Sequence, residues 1–550
     1  MVILRKRVET FMLSRSHYNT IIFLMCLALV PYLIISYNQL CEDSFITYRY
    51  VENFVNGLGL VFNPGERVEG YSNFLWVIIL AVFKTFGISC LAISKIAGLV
   101  STVLLLWIGS YYSLKKNQKK IDWIYFATPI MIFFNPMLHY HAGRGLETSF
   151  YALMLVWAAF SFKRRNYANS SIAFAALTLT RPEGFIYFFL LVPMLFLDIK
   201  KSNTEMHPYP VNHIRLRFFG PFFAILIPFI IWRIAYYGDV FPNTFYAKTE
   251  PLKFWRYPSL HSLLQFVISW SYIPLFAALS IFTYKKEKWE LQRSLLIPMI
   301  LAGGILAFTL AVGQVQASPF RHYAPLVPLM ILLFQEVLNA LKRRVEDNLP
   351  LIIALFVIFQ CMNFYTSNNL DSPRTRLHSR TIEFIKSWNF PERVRWYFEP
   401  PIIINAETGR WCDRNLPEDA YIAADQVGQF AYYSNRKILD ILGLNDREFG
   451  RKGYSGELLL ERNPRPDYLV LMGFLGDNKP YLAPIAHSFE KPEFTERYRL
   501  RWIIRPNNTI NKTEFLIYVR RDLVPDVPGE PEIIHVGPDT ETWNRKLRVI

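Results

Sequence analysis

Apolar residues along this chain gather into runs long enough to cross a lipid bilayer. A transmembrane helix needs about 20 predominantly apolar residues. The runs that approach or exceed this length are 20–37, 90–113, 121–138, 218–236, 263–284, 294–312, 323–340 and 350–366. Shorter and less cleanly bounded runs occupy 147–162, 168–181 and 184–199. The pattern predicts a polytopic α-helical membrane protein with about 11 transmembrane helices.

Basic clusters between the apolar runs predict the orientation of the chain. Lys and Arg concentrate in cytoplasmic loops, and clusters occur at 5–7, 115–120, 163–165, 200–201, 285–286 and 342–344. Placing all of them inside gives a cytoplasmic N-terminus. Residues 73–86 are apolar but span only about 14 residues, and counting them as a span would put 115–120 outside. We therefore predict an interfacial or re-entrant helix there, on the outer side.

The composition of the chain changes after residue 366. Charged residues, Pro and Asn become frequent, and no later run is long enough to span a membrane. Short strand-like runs occur at 421–424 and 468–472. We predict two domains, a membrane module over 1–366 and a soluble, mixed α/β domain outside the membrane over 367–550.

Composition agrees with this interpretation and excludes other classes of protein. Hydrophobic residues make up 52% of the 550 residues and charged residues 19%, whereas a soluble domain has roughly 25% charged residues. The net charge of +16 comes largely from the loop clusters, which argues against nucleic-acid binding. The five cysteines show no spacing typical of a zinc site or of a disulfide framework.

Charged residues close to a membrane are candidate functional groups, and here they concentrate in the predicted outer loops. Glu42 and Asp43 directly follow the first run. This acid pair suits a general base or a metal ligand, but acids also simply mark the end of a span. In the second outer loop, Arg144 suits a phosphate, because a guanidinium matches phosphate oxygens, or it reaches lipid headgroups. Glu147 follows in the same loop.

Three further outer junctions carry polar residues. Arg181 and Glu183 flank a proline between two short apolar runs, and non-helical backbone at that depth is tolerated only where it lines a cavity or is buried in protein. The fourth loop, 236–248, combines aromatic residues with Asp239, Asn243 and Lys248, which suits a saccharide or an ordinary interfacial belt. The fifth loop contains Gln314, Gln316, Arg321 and His322, with Arg321 as a second phosphate candidate.

Several of these segments resemble a known superfamily. They are EDSFITYRY at 42–50, NGLGLVFNPGERVEGYSNFLW at 56–76, GLET at 145–148, TRPEG at 180–184, YYGD at 236–239 with PNT at 242–244 and YAK at 246–248, Asp425, Gly428, and DILGLND at 440–446. They resemble the GT-C superfamily of polyprenyl-phosphate-dependent glycosyltransferases. The likeness is strongest to the branch that contains the terminal β-(1→2)-arabinofuranosyltransferases.

The resemblance implies a GT-C fold with juxtamembrane helices in the first outer loop and a catalytic carboxylate just after the first span. It assigns the catalytic base to Asp43, with Glu42 in support where relatives usually have a second Asp. The leaving phosphate of such a donor needs fixed cations, and the candidates in the outer loops are Arg144, Arg181, Arg321 and Lys248. The candidates for sugar or acceptor contacts are Tyr48, Arg49, Glu69, Tyr71, Asn73, Glu147, Glu183, Asp239, Asn243 and His322. Relatives often have Gly-Gly-Asp before Arg321, whereas this chain has Val312-Gly313-Gln314, so the identity of the sugar stays open.

The expected function is therefore an inverting transfer of a sugar, arabinofuranose by resemblance, from a polyprenyl-phosphate donor to a glycan or glycolipid acceptor of the cell envelope. The reaction would take place on the outer side of a bacterial inner membrane. No cofactor is required by this chemistry, and use of a divalent cation stays open. The alternatives are a transporter or flippase of lipid-linked sugars and a non-catalytic scaffold of envelope assembly.

Overall fold

The computed structural model describes residues 12–36, 40–201, 210–249, 289–312, 321–342, 404–507, 512–523 and 529–537. Several sequence-based predictions lie outside these residues: the spans at 263–284 and 350–366, the boundary after residue 366, and the side chains of Gln314 and Gln316.

The described chain is mostly helical before residue 343 and mixes helices with strands after residue 403. The helices are α1 (Arg15–Ser36), α2 (Ser44–Val55), α3 (Phe74–Lys84), α4 (Cys90–Tyr111), α5 (Ala127–Phe133), α6 (Pro136–Ala142), α7 (Thr148–Lys163), α8 (Tyr167–Thr180), α9 (Gly184–Leu190), α10 (Val192–Lys201), α11 (Val211–Tyr237), α12 (Asn243–Thr249), α13 (Trp289–Val312), α14 (Leu326–Lys342), α15 (Ile404–Asn415), α16 (Gln429–Ser434), α17 (Arg447–Lys452), α18 (Gly456–Glu461), α19 (Ala483–Ser488) and α20 (Pro492–Thr495). The strands are β1 (Met12–Ser14), β2 (Lys120–Asp122), β3 (Tyr421–Ala424), β4 (Lys437–Asp440), β5 (Tyr468–Phe474), β6 (Tyr498–Pro506), β7 (Thr513–Arg520) and β8 (Glu532–Val536).

The chain forms two compact units, and each is assembled from three separate segments. The first, here called the helical unit, comprises Met1–Gln39, Ser94–Phe229 and Arg256–Phe390. The second, the mixed unit, comprises Leu40–Ile93, Ile230–Trp255 and Pro391–Ile550.

Helix α1 of the helical unit shows how an apolar run becomes a helix with one buried face. Its buried side chains include Tyr18, Ile22, Cys26, Leu29 and Leu33, which are three or four residues apart and so share a face. The opposite face is also apolar and is exposed in the protein. An apolar exposed face is expected of a helix that contacts lipid chains.

Helix α14 is buried on all sides over 326–338, as expected of a helix that is apolar around its whole circumference. The polar side chains within it have partners. Gln335 Oε1 accepts a hydrogen bond from Thr128 Oγ1 (3.1 Å), and Glu336 pairs with Lys163 Nζ (2.5 Å). These partners offset the cost of burying polar groups in the helical unit.

One predicted span, 121–138, is not a single helix. It contains strand β2, helix α5 and the start of helix α6. The Asn135 side chain accepts the Leu138 N–H (3.1 Å) and caps α6, whose first residue is Pro136. Proline has no N–H to extend the helix before it but is well suited to begin a new one, so the chain forms two short helices here.

Four described helices are long and apolar enough to cross a membrane: Arg15–Ile34, Cys90–Tyr111, Val211–Tyr237 and Trp289–Ala311. The short run at 73–86 forms helix α3, which has only 11 residues. It is therefore too short to span a bilayer as a straight helix. The total of about 11 spans stays a prediction.

The mixed unit is built around a six-stranded sheet with the order β4-β3-β5-β7-β6-β8. Strands β4, β3 and β5 are parallel, β7 is antiparallel to β5 and β6, and β8 is parallel to β6. Buried side chains such as Ala423, Leu439, Leu471 and Leu516 form its core. The strand-like runs at 421–424 and 468–472 lie in β3 and β5, as the sequence pattern predicts.

Two asparagine side chains join segments that are distant in sequence within the mixed unit. Asn63 accepts the Ile438 N–H (3.1 Å) and donates to the Ile438 carbonyl (2.8 Å), so it pairs with edge strand β4 as a neighbouring strand would. Asn243 Nδ2 donates to the carbonyls of Gly443 (2.8 Å) and Asp446 (2.9 Å). The first and fourth predicted outer loops are thus part of the same compact unit as the sheet.

Candidate active site

Glu42 and Asp43 lie at the start of helix α2 in the mixed unit. Asp43 is the residue that precedes the first turn of this helix. Glu42 Oε1 accepts hydrogen bonds from the backbone N–H groups of Gly428 (2.6 Å) and Gln429 (3.1 Å). These amides stand at the beginning of helix α16, where N–H groups have no partner within the helix. Backbone amides therefore fix the carboxyl group of Glu42 next to Asp43.

The electrostatics at Glu42 favour its protonated form. Burial raises the pKa of Glu42 to about 8, and the adjacent Asp43 carboxyl contributes to the rise, while the two amide hydrogen bonds oppose it. The Glu42 side chain also hydrogen-bonds to the Asp43 side chain. Because Oε1 accepts the amides, Oε2 is available to carry the proton. A carboxyl group that keeps its proton near neutral pH beside a second acid is a common arrangement in acid–base catalysis.

Tyr48 belongs to an aromatic cluster that packs α2 against α16. The ring centroid of Phe45 lies 4.9 Å from that of Tyr48, 5.3 Å from that of Tyr432 and 5.6 Å from that of Tyr433. Tyr48 is only 1% exposed. In this structure its ring therefore stabilises the position of α2, and its predicted contact with a sugar stays a prediction.

Arg49 follows Tyr48 directly on α2 and is buried. Its guanidinium donates to the carbonyls of Phe62 (2.8 Å), Arg436 (2.6 Å) and Ala431, and to Asn63 Oδ1 (3.2 Å). Burial lowers the pKa of Arg49 to about 10. These donors connect the first predicted outer loop to the segment around α16.

The other predicted sugar contacts of the first loop are also buried and bonded within the mixed unit. Glu69 pairs with Arg233 (Oε2 to Nε, 2.9 Å), and burial nevertheless raises the pKa of Glu69 to about 7. The hydroxyls of Tyr71 and Tyr237 are 3.0 Å apart. Asn73 Nδ2 donates to a threonine hydroxyl of α2 (3.2 Å).

The fourth predicted loop is anchored by ion pairs in the mixed unit. Asp239 pairs with Arg447 (3.1 Å) and Arg451 (2.6 Å), and Asn243 binds backbone carbonyls as described above. Lys248 is half-buried on helix α12. Asp239 and Asn243 thus hold this loop to the segment that follows β4.

A second group of predicted site residues comes together in the helical unit. Glu147 Oε1 accepts hydrogen bonds from Arg321 Nη2 (2.7 Å) and Arg181 Nη1 (3.3 Å). Arg181 Nε donates to Glu183 (2.5 Å), and Arg181 Nη2 lies 3.4 Å from His322 Nδ1. Residues from three predicted outer loops therefore form one cluster, here called the arginine cluster.

Arg144 and His141 extend the arginine cluster. Arg144 donates to the Tyr140 hydroxyl (2.7 Å) and lies over the Tyr140 ring. His141 is 1% exposed, and burial, together with the nearby charges of Arg144 and Arg321, lowers its pKa well below the usual value. Its imidazole is therefore neutral near pH 7.

A narrow pocket with a cavity volume of about 10 Å³ opens at the arginine cluster. Its lining includes Arg181, Arg321 and His322 together with Tyr151 and Tyr187. The arginine cluster contains three guanidinium groups and two carboxylates, so it keeps one net positive charge. Arginine-rich pockets of this kind suit phosphate, which matches the planar donor geometry of guanidinium.

Some residues of interest escaped sequence reasoning. Lys95 is 1% exposed and lies on α4, one of the membrane-length helices. A single charged residue inside an apolar run is a candidate functional residue. Lys95 could therefore have been identified from the run 90–113 in the sequence. The contact of Gly428 and Gln429 with Glu42 had no comparable signal, because these residues are 386 and 387 positions from Glu42 along the chain.

Among the residues that the structure describes, no group of three or more His, Cys, Asp and Glu side chains has an arrangement suited to a metal ion. The Glu42–Asp43 pair offers two carboxyl groups, one of them occupied by backbone amides. Use of a divalent cation stays open.

A family model described as a domain of unknown function (DUF8728) matches residues 394–518, which lie in the mixed unit and include α16 and most of the sheet. No curated protein sequence matches the chain.

The fold itself has solved counterparts. ArnT from Cupriavidus metallidurans bound to undecaprenyl phosphate superposes with a TM-score of 0.58 at 12% sequence identity, over 94% of this chain and 100% of that chain. The apo state of ArnT gives a TM-score of 0.54 at 12% identity, over 83% of this chain and 93% of that one. ArnT is a GT-C glycosyltransferase. At this identity the likeness concerns the fold alone, and it supports a membrane-helical fold like that of ArnT.

Proposed function

We propose that this protein is a membrane glycosyltransferase that uses a polyprenyl-phosphate-linked sugar and acts on the outer side of a bacterial inner membrane. The observation that carries the proposal is the acid pair of Glu42 and Asp43, which closely follows the first membrane-length helix of a GT-C-type fold. The undecaprenyl phosphate bound to ArnT supports a polyprenyl-phosphate donor here. The donor sugar is proposed to be arabinofuranose and the acceptor a cell-envelope glycan, from the resemblance of the sequence motifs.

In the proposed reaction, an acceptor hydroxyl oxygen attacks the anomeric carbon of the donor sugar. The bond between that carbon and the phosphate oxygen breaks, and the lipid phosphate leaves with the electron pair. Asp43 takes the hydroxyl proton, and attack opposite the leaving group inverts the anomeric centre. Glu42 supports Asp43 by holding a proton beside it, which lowers the repulsion between the two carboxyl groups.

The leaving lipid phosphate gains negative charge as the bond breaks, and fixed cations stabilise that charge. We assign this role to Arg144, Arg181 and Arg321 of the arginine cluster. Lys248 is a further candidate as a cation of the fourth predicted outer loop, and Lys95 is one from its burial on α4. Glu147 and Glu183 hold the guanidinium groups in place before the donor binds.

The contacts in the mixed unit change the roles that we propose for several predicted sugar-binding residues. Arg49, Glu69 and Asn243 donate to or accept from protein atoms, as do Tyr71, Asn73 and Asp239. We propose that these residues position the loops. His322 remains a candidate for direct contact with the donor sugar, because it lines the pocket at the arginine cluster.

The test is sugar transfer by the purified full-length protein in lipid nanodiscs, with polyprenyl-phosphoryl-arabinofuranose, an arabinan acceptor and a panel of other lipid-linked sugars. Asp43→Asn is expected to lower turnover by about 10³-fold, because general-base catalysis contributes roughly 10²- to 10⁴-fold. Glu457→Gln is the matched control, since Glu457 is an acid of the mixed unit with an 80% exposed side chain.

Each outcome of this assay decides a different point. Turnover that survives in the Asp43→Asn variant would remove Asp43 from the role of base. A folded wild-type protein that transfers none of the sugars in the panel would contradict the proposed function. Transfer of a sugar other than arabinofuranose would correct the donor and leave the reaction class standing.

A further inference from the structure

The carboxyl group of Glu42 is held by the segment that matches the domain of unknown function. The Gly428 N–H donates to Glu42 Oε1 at 2.6 Å and the Gln429 N–H donates to the same atom at 3.1 Å. Both donors lie within residues 394–518. Two amides that converge on one carboxylate oxygen restrict its position more tightly than a single flexible side chain would.

Position 428 has room for glycine alone. A Cβ atom there would lie 2.3 Å from the Glu42 carbonyl oxygen and 2.3 Å from Glu42 Oε1, and real Cβ atoms essentially never approach within 3.0 Å of another heavy atom. The backbone carbonyl is not the far end of a flexible side chain, so it cannot move aside cheaply. Any other residue at 428 would displace Glu42 and the neighbouring start of α2.

Two further contacts hold α2 against the same segment. Arg49 donates to the carbonyls of Ala431 and Arg436. The Tyr432 hydroxyl donates to Glu52 Oε1 at 2.9 Å. Helix α2 is therefore attached to the region of α16 before its first turn, at its middle and near its end, and Asp43 stands at the first of these points.

We infer that Gly428 and Gln429 are positioning residues for the acid pair, so that the domain of unknown function supplies part of the active site. This inference rests on the proposed function of Asp43 as the base. The two amides act through Glu42, and neither of them is expected to contact the reacting atoms. The domain would then hold the acid pair in its working geometry, whatever other role it has.

Two consequences distinguish positioning from a contact that only stabilises the fold. The two amide hydrogen bonds from Gly428 and Gln429 to Glu42 Oε1 are here called the clamp. A displacement of about 1 Å at a reacting group can cost about 100-fold in rate. Loss of the clamp should therefore lower kcat with little effect on the KM for the donor. The amides also favour the ionised form of Glu42, and the Asp43 carboxyl group is its acidic neighbour. Removing the amide hydrogen bonds should move the ionisation of Glu42 to higher pH. A contact that only stabilises the fold changes the melting temperature and leaves both quantities unchanged in the folded protein.

The experiment compares Gly428→Ala and Glu42→Asp with the control Gly529→Ala in the full-length protein. Gly529 has no heavy atom within 4 Å of an added Cβ and lies in the same unit. Glu42→Asp keeps the charge, shortens the side chain by one methylene group and introduces no clash. We expect both clamp variants to lose about 10- to 100-fold in kcat, with the pH–rate profile shifted to higher pH. The double variant should lose little more than the worse single variant.

The inference would be overturned if the wild type transfers sugar and both clamp variants keep its kcat and pH profile. It would also be overturned if the losses in the double variant multiply as independent effects. Hydrogen exchange of the 428–434 amides tests the contact without an assay of transfer, and exchange should be faster in Glu42→Asp than in the wild type. Unchanged exchange contradicts the clamp, whereas a wild type that is inactive with every donor contradicts the proposed function.

Discussion

The charged side chains of the arginine cluster and those of the acid pair are held in place by different kinds of hydrogen bond. In the arginine cluster, side chains hold side chains: Glu147 binds Arg181 and Arg321, and Arg181 also binds Glu183. In the acid pair, the backbone holds a side chain, because Glu42 is bound by two amides. The arginine cluster has an excess of positive charge, and the acid pair has an excess of negative charge.

The difference fits the two tasks in the proposed reaction. A guanidinium that is paired with a carboxylate can exchange that partner for a phosphate oxygen, because both offer a similar planar or near-planar set of acceptors. A base must instead be positioned before the acceptor arrives, and backbone amides provide rigid positioning. The comparison therefore predicts an adaptable phosphate site and a rigid base. The following measurements test this difference between the two sites.

Beyond the loss already expected for Asp43→Asn, the largest effect is expected for Arg181→Lys in the arginine cluster. Lysine cannot reproduce the fork that reaches Glu147, Glu183 and His322 at once, so kcat/KM for the donor should fall by about 100-fold. Arg501→Lys, at an exposed position of strand β6, is the control. Transfer kinetics at wild-type level in Arg181→Lys would show that the cluster does not bind the leaving phosphate.

A smaller effect is expected on the pH dependence of stability in the mixed unit. Burial raises the pKa of Glu42 to about 8, those of Glu69 and Asp425 to about 7 and that of Asp440 to about 6. Between the ordinary carboxyl values near 4 and these raised values, the folded state binds more protons than the unfolded state. Stability should therefore fall as the pH rises from about 4.5 to 8, by at least about 1 kcal/mol.

The measurement is hydrogen exchange of the mixed-unit strands at pH 5.5 and pH 8, after correction for the intrinsic exchange rates. Asp425→Asn should reduce the pH dependence, because the amide cannot ionise and its oxygen can still accept the Met472 N–H that Asp425 accepts (3.1 Å). A mixed unit that is more stable at pH 8 than at pH 5.5 would contradict the raised pKa values.

The smallest effect is expected for Asp239→Asn. Its partners Arg447 and Arg451 are 44% and 43% exposed, and exposed ion pairs contribute about 0 to 1 kcal/mol. The free energy of unfolding should fall by less than about 1 kcal/mol, and transfer should stay near the wild-type level. A large loss of transfer with unchanged stability would return Asp239 to the predicted role of sugar contact.

Sequence patterns predicted the features that depend on neighbouring residues. The run 90–113 forms helix α4 (Cys90–Tyr111), and the short run 73–86 forms the short helix α3. Strands β3 and β5 form at the strand-like runs 421–424 and 468–472. The interruption inside 121–138 depends on Asn135, which caps the start of helix α6. Hydropathy alone does not reveal this cap, because it registers only that most residues of the run are apolar.

The candidate site was only partly predictable. The chemistry of Asp43, Arg181 and Arg321 follows from their residue types and from their position beside apolar runs. The sequence does not reveal that Arg321 reaches Glu147 across 174 positions, or that Arg49 binds backbone carbonyls of the mixed unit. The sequence predicts that Arg49 contacts the sugar or acceptor. The structure shows instead that it is buried and donates to backbone carbonyls.

The membrane-length helices, the place of the acid pair after the first of them, and the resemblance that points to sugar transfer can all be predicted from the sequence. The assembly of Leu40–Ile93, Ile230–Trp255 and Pro391–Ile550 into one compact unit, and the contact of Gly428 with Glu42, appear only in the folded chain. The two groups of features differ because their interactions act over different distances along the chain. Hydropathy and helical periodicity act between residues a few positions apart, whereas the hydrogen bonds that position the acid pair join residues that only the folded chain brings together.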